Sequence, residues 1–236
     1  MELLTKILGE YDIELTPGQT KQYAEYMEQI LEYNQHINLT SITDREAFIK
    51  KHYADSILGA LNDEFKAGER IIDVGTGAGF PGVPLAILFP DKEFVLLDSL
   101  NKRLKIVSEI CQGAGINNVR VLHSRAEDAG RNREYREQFD ICVSRAVADL
   151  SVLSELCLPL VAEGGYFLSY KGPDCEQELK NAEKAIRTLG GRVAKVSNIC
   201  SADTEFNHNI IFIEKTKNTP AQYPRKAGTL SKNPIK

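Results

Sequence analysis

From Arg70 to Glu214, short apolar runs alternate with stretches of helical periodicity, and this alternation restricts the chain more than any other feature. Ile71–Val74, Glu93–Leu97, Val119–Leu122, Phe139–Val143, Tyr166–Tyr170, Arg192–Val196 and Asn209–Glu214 have the length and composition of strands. Val83–Phe89, Lys102–Ala114, Leu150–Leu158 and Glu176–Leu189 have the spacing of helices. Strand, helix and strand in succession predict parallel strands joined by right-handed crossovers, with both faces of the sheet covered. Only about a dozen residues, Ser201-Ala202-Asp203-Thr204 among them, separate the last two runs, so a hairpin-like antiparallel return is expected there. The predicted architecture is a doubly wound α/β sheet of seven strands, mostly parallel, with one strand reversed near an edge.

Residues 1–66 show no such strands and are expected to form an N-terminal helical extension. Thr16-Pro17 is a cap followed by proline at the first helical position, and Tyr23, Tyr26, Met27, Ile30, Leu31 and Asn34 recur at helical spacing after it. Asp44 opens a second amphipathic stretch with Phe48, His52, Ile57 and Leu61 roughly on one side. Residues 67–214 form the sheet domain and residues 215–236 a basic tail. The tail holds three prolines, shows no apolar periodicity, and is expected to order only against something else.

The net charge of −4 hides an uneven distribution: the three segments carry −6, −4 and +6. Arg120, Arg125, Arg131, Arg133 and Arg136 add a second basic cluster. Such asymmetry suits a phosphate backbone, although a solvated loop and terminus would look the same. The longest apolar run, Val83–Phe89, is far short of the ~20 residues that cross a bilayer, and Met1-Glu2 opens no export signal. Five widely spaced cysteines without a C-x-x-C predict neither a disulfide framework nor a zinc site. A reducing cytoplasm follows. His36, His52, His123 and His208 lack metal spacing and are read as structural or surface residues.

Asp73-Val74-Gly75-Thr76-Gly77-Ala78-Gly79-Phe80-Pro81-Gly82 lies between the first strand and the first helix of the sheet domain. Glycine there allows a sharp turn and close approach of a cofactor to the backbone. An acid directly before G-x-G-x-G is usual in S-adenosylmethionine sites, and no G-K-[ST] follows as a P-loop requires. Asp98 ends the second strand, where a carboxylate can accept from both ribose hydroxyls; a nicotinamide dinucleotide would use it equally well, and a helix cap is its bland role. Ser124-Arg125-Ala126-Glu127-Asp128 places a polar turn after the third strand, where Glu127 or Asp128 would meet an adenine.

The fourth strand ends in Ser144-Arg145-Ala146-Val147. No Asn/Asp-Pro-Pro-aromatic and no Pro-Cys occurs in the chain, which removes the usual exocyclic-amine and cytosine C5 methylases. Cys142 is expected in the core. A target that needs neither covalent attack nor deprotonation remains, and guanine N7 is one, because displacement there needs alignment more than acid–base help. Arg145 is a candidate for holding guanine, a phosphate or the cofactor's carboxylate, with a structural salt bridge as the alternative. Lys171, in Ser169-Tyr170-Lys171-Gly172, faces the same edge.

Tyr33-Asn34-Gln35-His36-Ile37-Asn38-Leu39-Thr40, the glycine loop, Arg125-Ala126-Glu127-Asp128, Ser144-Arg145-Ala146-Val147, Tyr170-Lys171-Gly172 and Arg225-Lys226-Ala227-Gly228 together resemble the bacterial ribosomal RNA small-subunit methyltransferase G family, also called glucose-inhibited division protein B. The likeness covers nearly the whole chain. It implies a class I methyltransferase fold and methyl transfer from S-adenosylmethionine to N7 of guanine 527 in 16S ribosomal RNA, without a covalent enzyme intermediate. It also implies cofactor contacts at Gly75, Phe80, Ala126, Glu127 and Arg145, to which the glycine loop itself adds Gly77 and general methyltransferase logic adds Asp98. Asn34, Asn38, Arg145, Lys171 and the tail residues Arg225, Lys226 and Lys232 are expected to position RNA. Tyr33 stands where the family often has tryptophan, and Leu230 where a proline is common. The expected partner is 16S ribosomal RNA or a small-subunit particle, with no metal, no membrane and a monomeric enzyme. A nicotinamide-dependent oxidoreductase, a methyltransferase of another RNA guanine and a non-catalytic ribosome-assembly factor are the alternatives.

Overall fold

Helix α1 (Glu2–Gly9) and the long α2 (Pro17–Asn34) open the chain in the computed structural model, which describes residues 1–201 and 206–235. The predicted turn residues Ala202, Asp203 and Thr204 lie outside the described residues. Thr16 closes a capping box at the start of α2, its hydroxyl accepting from Gln19 N while Gln19 accepts from Thr16 N. The buried stripe of α2 is Tyr23, Tyr26, Met27 and Ile30, as the spacing predicts.

The second amphipathic stretch is α3 (Arg45–Phe48), a π-helical segment over Ile49–Ala54, and α4 (Asp55–Leu58) in one run of helical backbone. Asp44 caps it by accepting from Ala47 N. The wide turn was not expected, because it changes which carbonyl each N–H reaches without changing the residue types. Helix α5 (Asp63–Ala67) then leads into the sheet.

The strands are β1 (Arg70–Val74), β2 (Glu93–Asp98), β3 (Val119–His123), β4 (Phe139–Arg145), β5 (Val161–Lys171), β6 (Gly191–Ser201) and β7 (Phe206–Lys215). Their spatial order is β3-β2-β1-β4-β5-β7-β6, and β7 runs antiparallel to both its neighbours. Between the strands lie α6 (Gly82–Leu88), α7 (Asn101–Gly113), α8 (Ala126–Ala129), α9 (Leu150–Cys157) and α10 (Glu176–Thr188). Side chains alternate across the sheet as the strand period requires. Ile71, Ile141, Leu168 and Phe212 join the core under α2, α6 and α7, whereas Ile72, Cys142, Phe167 and Ile213 join the one under α9 and α10. The N-terminal helices share the first of these cores with the sheet. Tyr23 Oη donates to Pro84 O at 2.7 Å and Tyr26 Oη to Ala78 O at 2.9 Å, which ties α2 to the glycine loop and to α6. Cys111, Cys142, Cys157 and Cys175 are free and buried.

The tail corrects an expectation. Its described residues fold back on their own chain instead of waiting for a partner: Thr219 and Leu230 are buried, and Tyr223 and Ile235 pack on the second core. Arg136 donates to Thr219 O, Tyr223 O and Gly130 O at 2.6–2.8 Å, and Arg131 Nε to Pro224 O at 2.8 Å. Two arginines of the presumed phosphate-binding cluster thus hold backbone carbonyls. Lack of apolar periodicity predicts order only against a partner, whereas hydrogen bonds to the tail's carbonyls anchor it on its own chain.

Candidate active site

The carboxyl ends of β1, β2 and β4 open onto two neighbouring cavities. In the glycine loop Gly75, Gly77 and Gly79 have φ of 75°, 58° and 85°, a region where side chains are strained. A Cβ on Gly79 would lie 2.2 Å from Tyr26 Oη, so the helical layer also needs that glycine. Beneath the loop Asp73 Oδ2 accepts from Thr76 Oγ1 at 2.7 Å and Gly82 N at 2.8 Å, while its buried Oδ1 has no partner. Burial pushes the Asp73 carboxyl up to about 6. Asp73 therefore fixes the shape of the turn from below.

The first cavity, about 340 Å³, is lined by Gly75, Leu97, Asp98, Ser99, Ser124, Arg125, Ala126, Glu127, Val147 and Leu156, with Val74 at its base. Asp98 Oδ2 accepts from Gly77 N at 2.9 Å and Oδ1 from Leu100 N at 2.8 Å, which holds the carboxylate at the end of β2 in one orientation. Each oxygen keeps a further lone pair for a ligand. Gly75, Asp98, Ala126 and Glu127 are thus brought together as expected, and Gly77 reaches them through Asp98. Phe80 is not among the lining residues. Its ring is buried, stacked on His52 at 4.2 Å and nearly parallel, with Phe48 and Tyr26 at its edges. The ring thus packs on the helical layer, away from the residues that line the first cavity.

The second cavity, about 380 Å³, is lined by Ile42, Lys51, His52, Asp55, Arg145, Ala146, Tyr170, Lys171, Gly172 and His208. Arg145 Nη1 donates to Asp55 Oδ2 at 2.6 Å and to Lys51 O at 3.1 Å, and its guanidinium lies 5.8 Å from the centre of the Phe80 ring. His208 Nδ1 meets Asp55 Oδ1 at 2.6 Å. Burial works against charge on Asp55, yet the His208 hydrogen bond and the Arg145 charge hold its pKa below the usual carboxylate value. The same hydrogen bond raises His208. His52 behaves oppositely: burial, helped by the Arg145 charge, takes it down to about 3. A neutral His52 accepts from Arg145 Nη2 at Nδ1, 3.3 Å away, and so donates from Nε2 to Thr40 Oγ1 at 2.8 Å. Lys171 Nζ donates to Ala148 O at 2.9 Å and to Glu178 Oε1 at 2.5 Å. Ala146, at φ 56°, and Val147 separate the two cavities, each lining one.

Several expected RNA contacts have structural partners instead. Asn34 Oδ1 accepts from Leu39 N and Thr40 N and shapes the loop that carries Thr40 to His52. Asn38 is exposed, and its carbonyl accepts from Arg103. Arg225 is a correction: its guanidinium grips the buried Glu155 at 2.6–3.1 Å and donates to Asn233 O, so it is occupied within the chain. Lys226 and Lys232 remain exposed. His52, Asp55 and His208 were missed as site residues. His52 and Asp55 stand three apart, a spacing that shares a helix face but that apolar periodicity alone passes over. His208 meets Asp55 only through tertiary structure. Among the described residues no cluster of metal-ligating side chains occurs.

Comparison with known proteins gives consistent results. A family model described as rRNA small subunit methyltransferase G matches residues 19–207. A ribosomal RNA small subunit methyltransferase G from Clostridium beijerinckii is 47% identical over 235 residues, covering 100% of this chain and 98% of that protein. Among solved structures, a putative O-methyltransferase from Klebsiella pneumoniae matches with a TM-score of 0.58 at 15% identity, over 90% of this chain and 96% of that one. The structure of TYW2 from M. jannaschii, in complex with AdoMet, matches with a TM-score of 0.54 at 14% identity, over 74% and 79% of the two chains. These two likenesses concern the fold.

Proposed function

Because the chain belongs to the rRNA small subunit methyltransferase G family, we propose that it is an S-adenosylmethionine-dependent methyltransferase whose target atom is N7 of a guanine in 16S ribosomal RNA. Guanine 527 is the position that its motifs imply. Family membership sets the nicotinamide alternative aside. A ribosomal substrate in turn supports a cytoplasmic location, and no helix among the described residues is long and apolar enough to cross a membrane.

The first cavity fits the cofactor. Its mouth holds the Asp98 carboxylate, oriented by two backbone N–H groups, and the glycine turn beside it would be filled by side chains: a Cβ on Gly75 would lie 2.5 Å from Val147. On this reading Asp98 accepts from the nucleoside hydroxyls, and Ala126 and Glu127 face the purine. When bound, S-adenosylmethionine supplies an electrophilic sulfonium methyl.

The second cavity carries the reading of the target atom. Asp55 is engaged by Arg145 and His208, and both ring nitrogens of His52 by Arg145 and Thr40. Neither is poised to take a proton from a nucleophile, in keeping with a base that attacks through an existing lone pair, and the bond to Asp55 raises His208 and favours its protonated form. Arg145 and Lys171 line the cavity, held by ion pairs to Asp55 and Glu178, and their remaining N–H groups suit RNA phosphate or a base carbonyl oxygen as acceptor. The protein's contribution is alignment and exclusion of water.

Transfer of a labelled methyl group to 16S RNA, naked and in small-subunit particles, followed by mapping of the modified base, tests this reading. Label is expected on guanine and lost when the target is 7-deazaguanine. Label that persists on the 7-deaza substrate would overturn the N7 assignment.

A further inference from the structure

The cofactor cavity is walled on one side by the start of α8, Ala126 and Glu127, and by Leu156 of α9. The tail grips both elements, α8 just past its last turn and α9 at Glu155, next to Leu156. At the end of α8, a Cβ on Gly130 would lie 3.1 Å from Pro224 Cγ, and Arg131 Nε donates to Pro224 O at 2.8 Å. On α9, Glu155 is 1% exposed and receives four hydrogen bonds from Arg225, one from its backbone N at 2.7 Å and three from its guanidinium. A bidentate arginine on a buried carboxylate is among the most directional contacts a chain can make. Glu155 is also the only acid in an otherwise apolar and hydroxyl-bearing helix, Leu150–Cys157.

We infer that the Arg225–Glu155 pair is a latch through which the C-terminal tail positions the α8–α9 wall of the cofactor cavity, so that Arg225 is a positioning residue for cofactor binding. The inference rests on the assignment of S-adenosylmethionine to that cavity. A latch of this kind couples two sites, and coupling between binding equilibria is reciprocal. If the docked tail favours the wall geometry that binds cofactor, bound cofactor must also favour the docked tail.

Two measurements test it. S-adenosylhomocysteine binding to Arg225→Met is expected to weaken about tenfold, the middle of the range for residues that act on a site through packing. Arg225→Lys, which keeps the charge and loses the fork, recovers part of that loss, and affinity for RNA stays within about twofold of wild type on the same scale. Unchanged S-adenosylhomocysteine affinity, or a loss confined to RNA, overturns the latch. The second measurement needs no variant and covers the case in which Arg225→Met fails to fold. In the wild-type chain, saturating S-adenosylhomocysteine is expected to slow hydrogen exchange at the Tyr223 and Arg225 amides, which donate to Pro220 O and to Glu155. Exchange that is unaltered while the ligand is demonstrably bound overturns the latch alone. A wild-type protein that does not bind S-adenosylhomocysteine overturns the cofactor assignment, and the latch with it.

Discussion

Asp55 and Arg145 stand 90 positions apart in the chain and meet at 2.6 Å, with Asp55 only 1% exposed. The carboxylate's second oxygen belongs to His208, so one buried acid joins the N-terminal helices to the ends of β4 and β7. The helical extension is therefore a wall of the second cavity as well as a cover for the sheet.

Removing Arg145 takes from that buried acid one of its two ionic partners. Arg145→Met is expected to destabilise the fold by about 3 kcal/mol, the low end for a buried pair broken on one side. Adding Asp55→Asn removes the under-compensated charge and restores most of that loss, while methyl transfer is expected to be lost in both variants because the guanidinium facing the cavity is gone. Denaturant unfolding of the two variants checks the stability claim, and equal instability of the single and double variants would refute it.

Acid sensitivity has a defined sign. His52 is neutral in the fold down to about pH 3, whereas the unfolded chain takes up that proton below about 6.5. The unfolded state thus binds more protons between those values, and stability falls as pH drops through the window, by up to about 1.4 kcal/mol per pH unit. Asp55, with its pKa depressed, loses its contribution only as pH falls through its lowered value. His208, raised, contributes below about 6.5 and loses it as pH rises through its own folded value. Asp73, raised to about 6, opposes His52 by gaining stability as pH falls from there toward about 3.9. Comparing wild type with His52→Phe isolates the histidine, since the other three are common to both. The variant's stability is expected to decline less on acidification, and parallel curves would contradict the assignment.

Asp98→Ala frees the Gly77 and Leu100 amides and takes away a ligand acceptor together. S-adenosylhomocysteine affinity measured by calorimetry is expected to fall at least about tenfold, the equivalent of one charge-assisted hydrogen bond. Asp98→Asn keeps one oxygen and lies between. Wild-type affinity in the alanine variant would remove Asp98 from the site.

Lys226 and Lys232 are two of the tail's exposed cations. Changing both to glutamine is expected to weaken RNA binding and to reduce its salt slope by roughly one to two. S-adenosylhomocysteine affinity is expected to hold. A salt titration that leaves slope and affinity unaltered would place the RNA elsewhere.

The sheet was readable from its apolar runs because burial on both faces leaves a continuous signal, as in Ile71-Ile72-Asp73-Val74. The cofactor side was readable too, since the glycine turn, Asp98 and Ala126-Glu127 each sit at a strand end and need only the topology to meet. Partners distant in sequence were not. Arg145 was identified by its position at the end of β4, but nothing local announces Asp55 or His208. Arg225 was read as a free cation because counting charges by segment cannot see Glu155, buried within an apolar helix 70 positions away. The lone acid in that helix was the available hint, since an unpaired carboxylate is rarely enclosed in such surroundings.

The π turn at Ile49–Ala54 has a further consequence. Over such a turn each residue advances less than the ~100° of a regular helix, so the segment takes in one position more than α geometry would and leaves the helix after it on nearly the same bearing. His52 lies inside the turn and Asp55 just after it. Excising one position there is therefore expected to disturb the contacts of His52 with Arg145 and Thr40 more than those of Asp55.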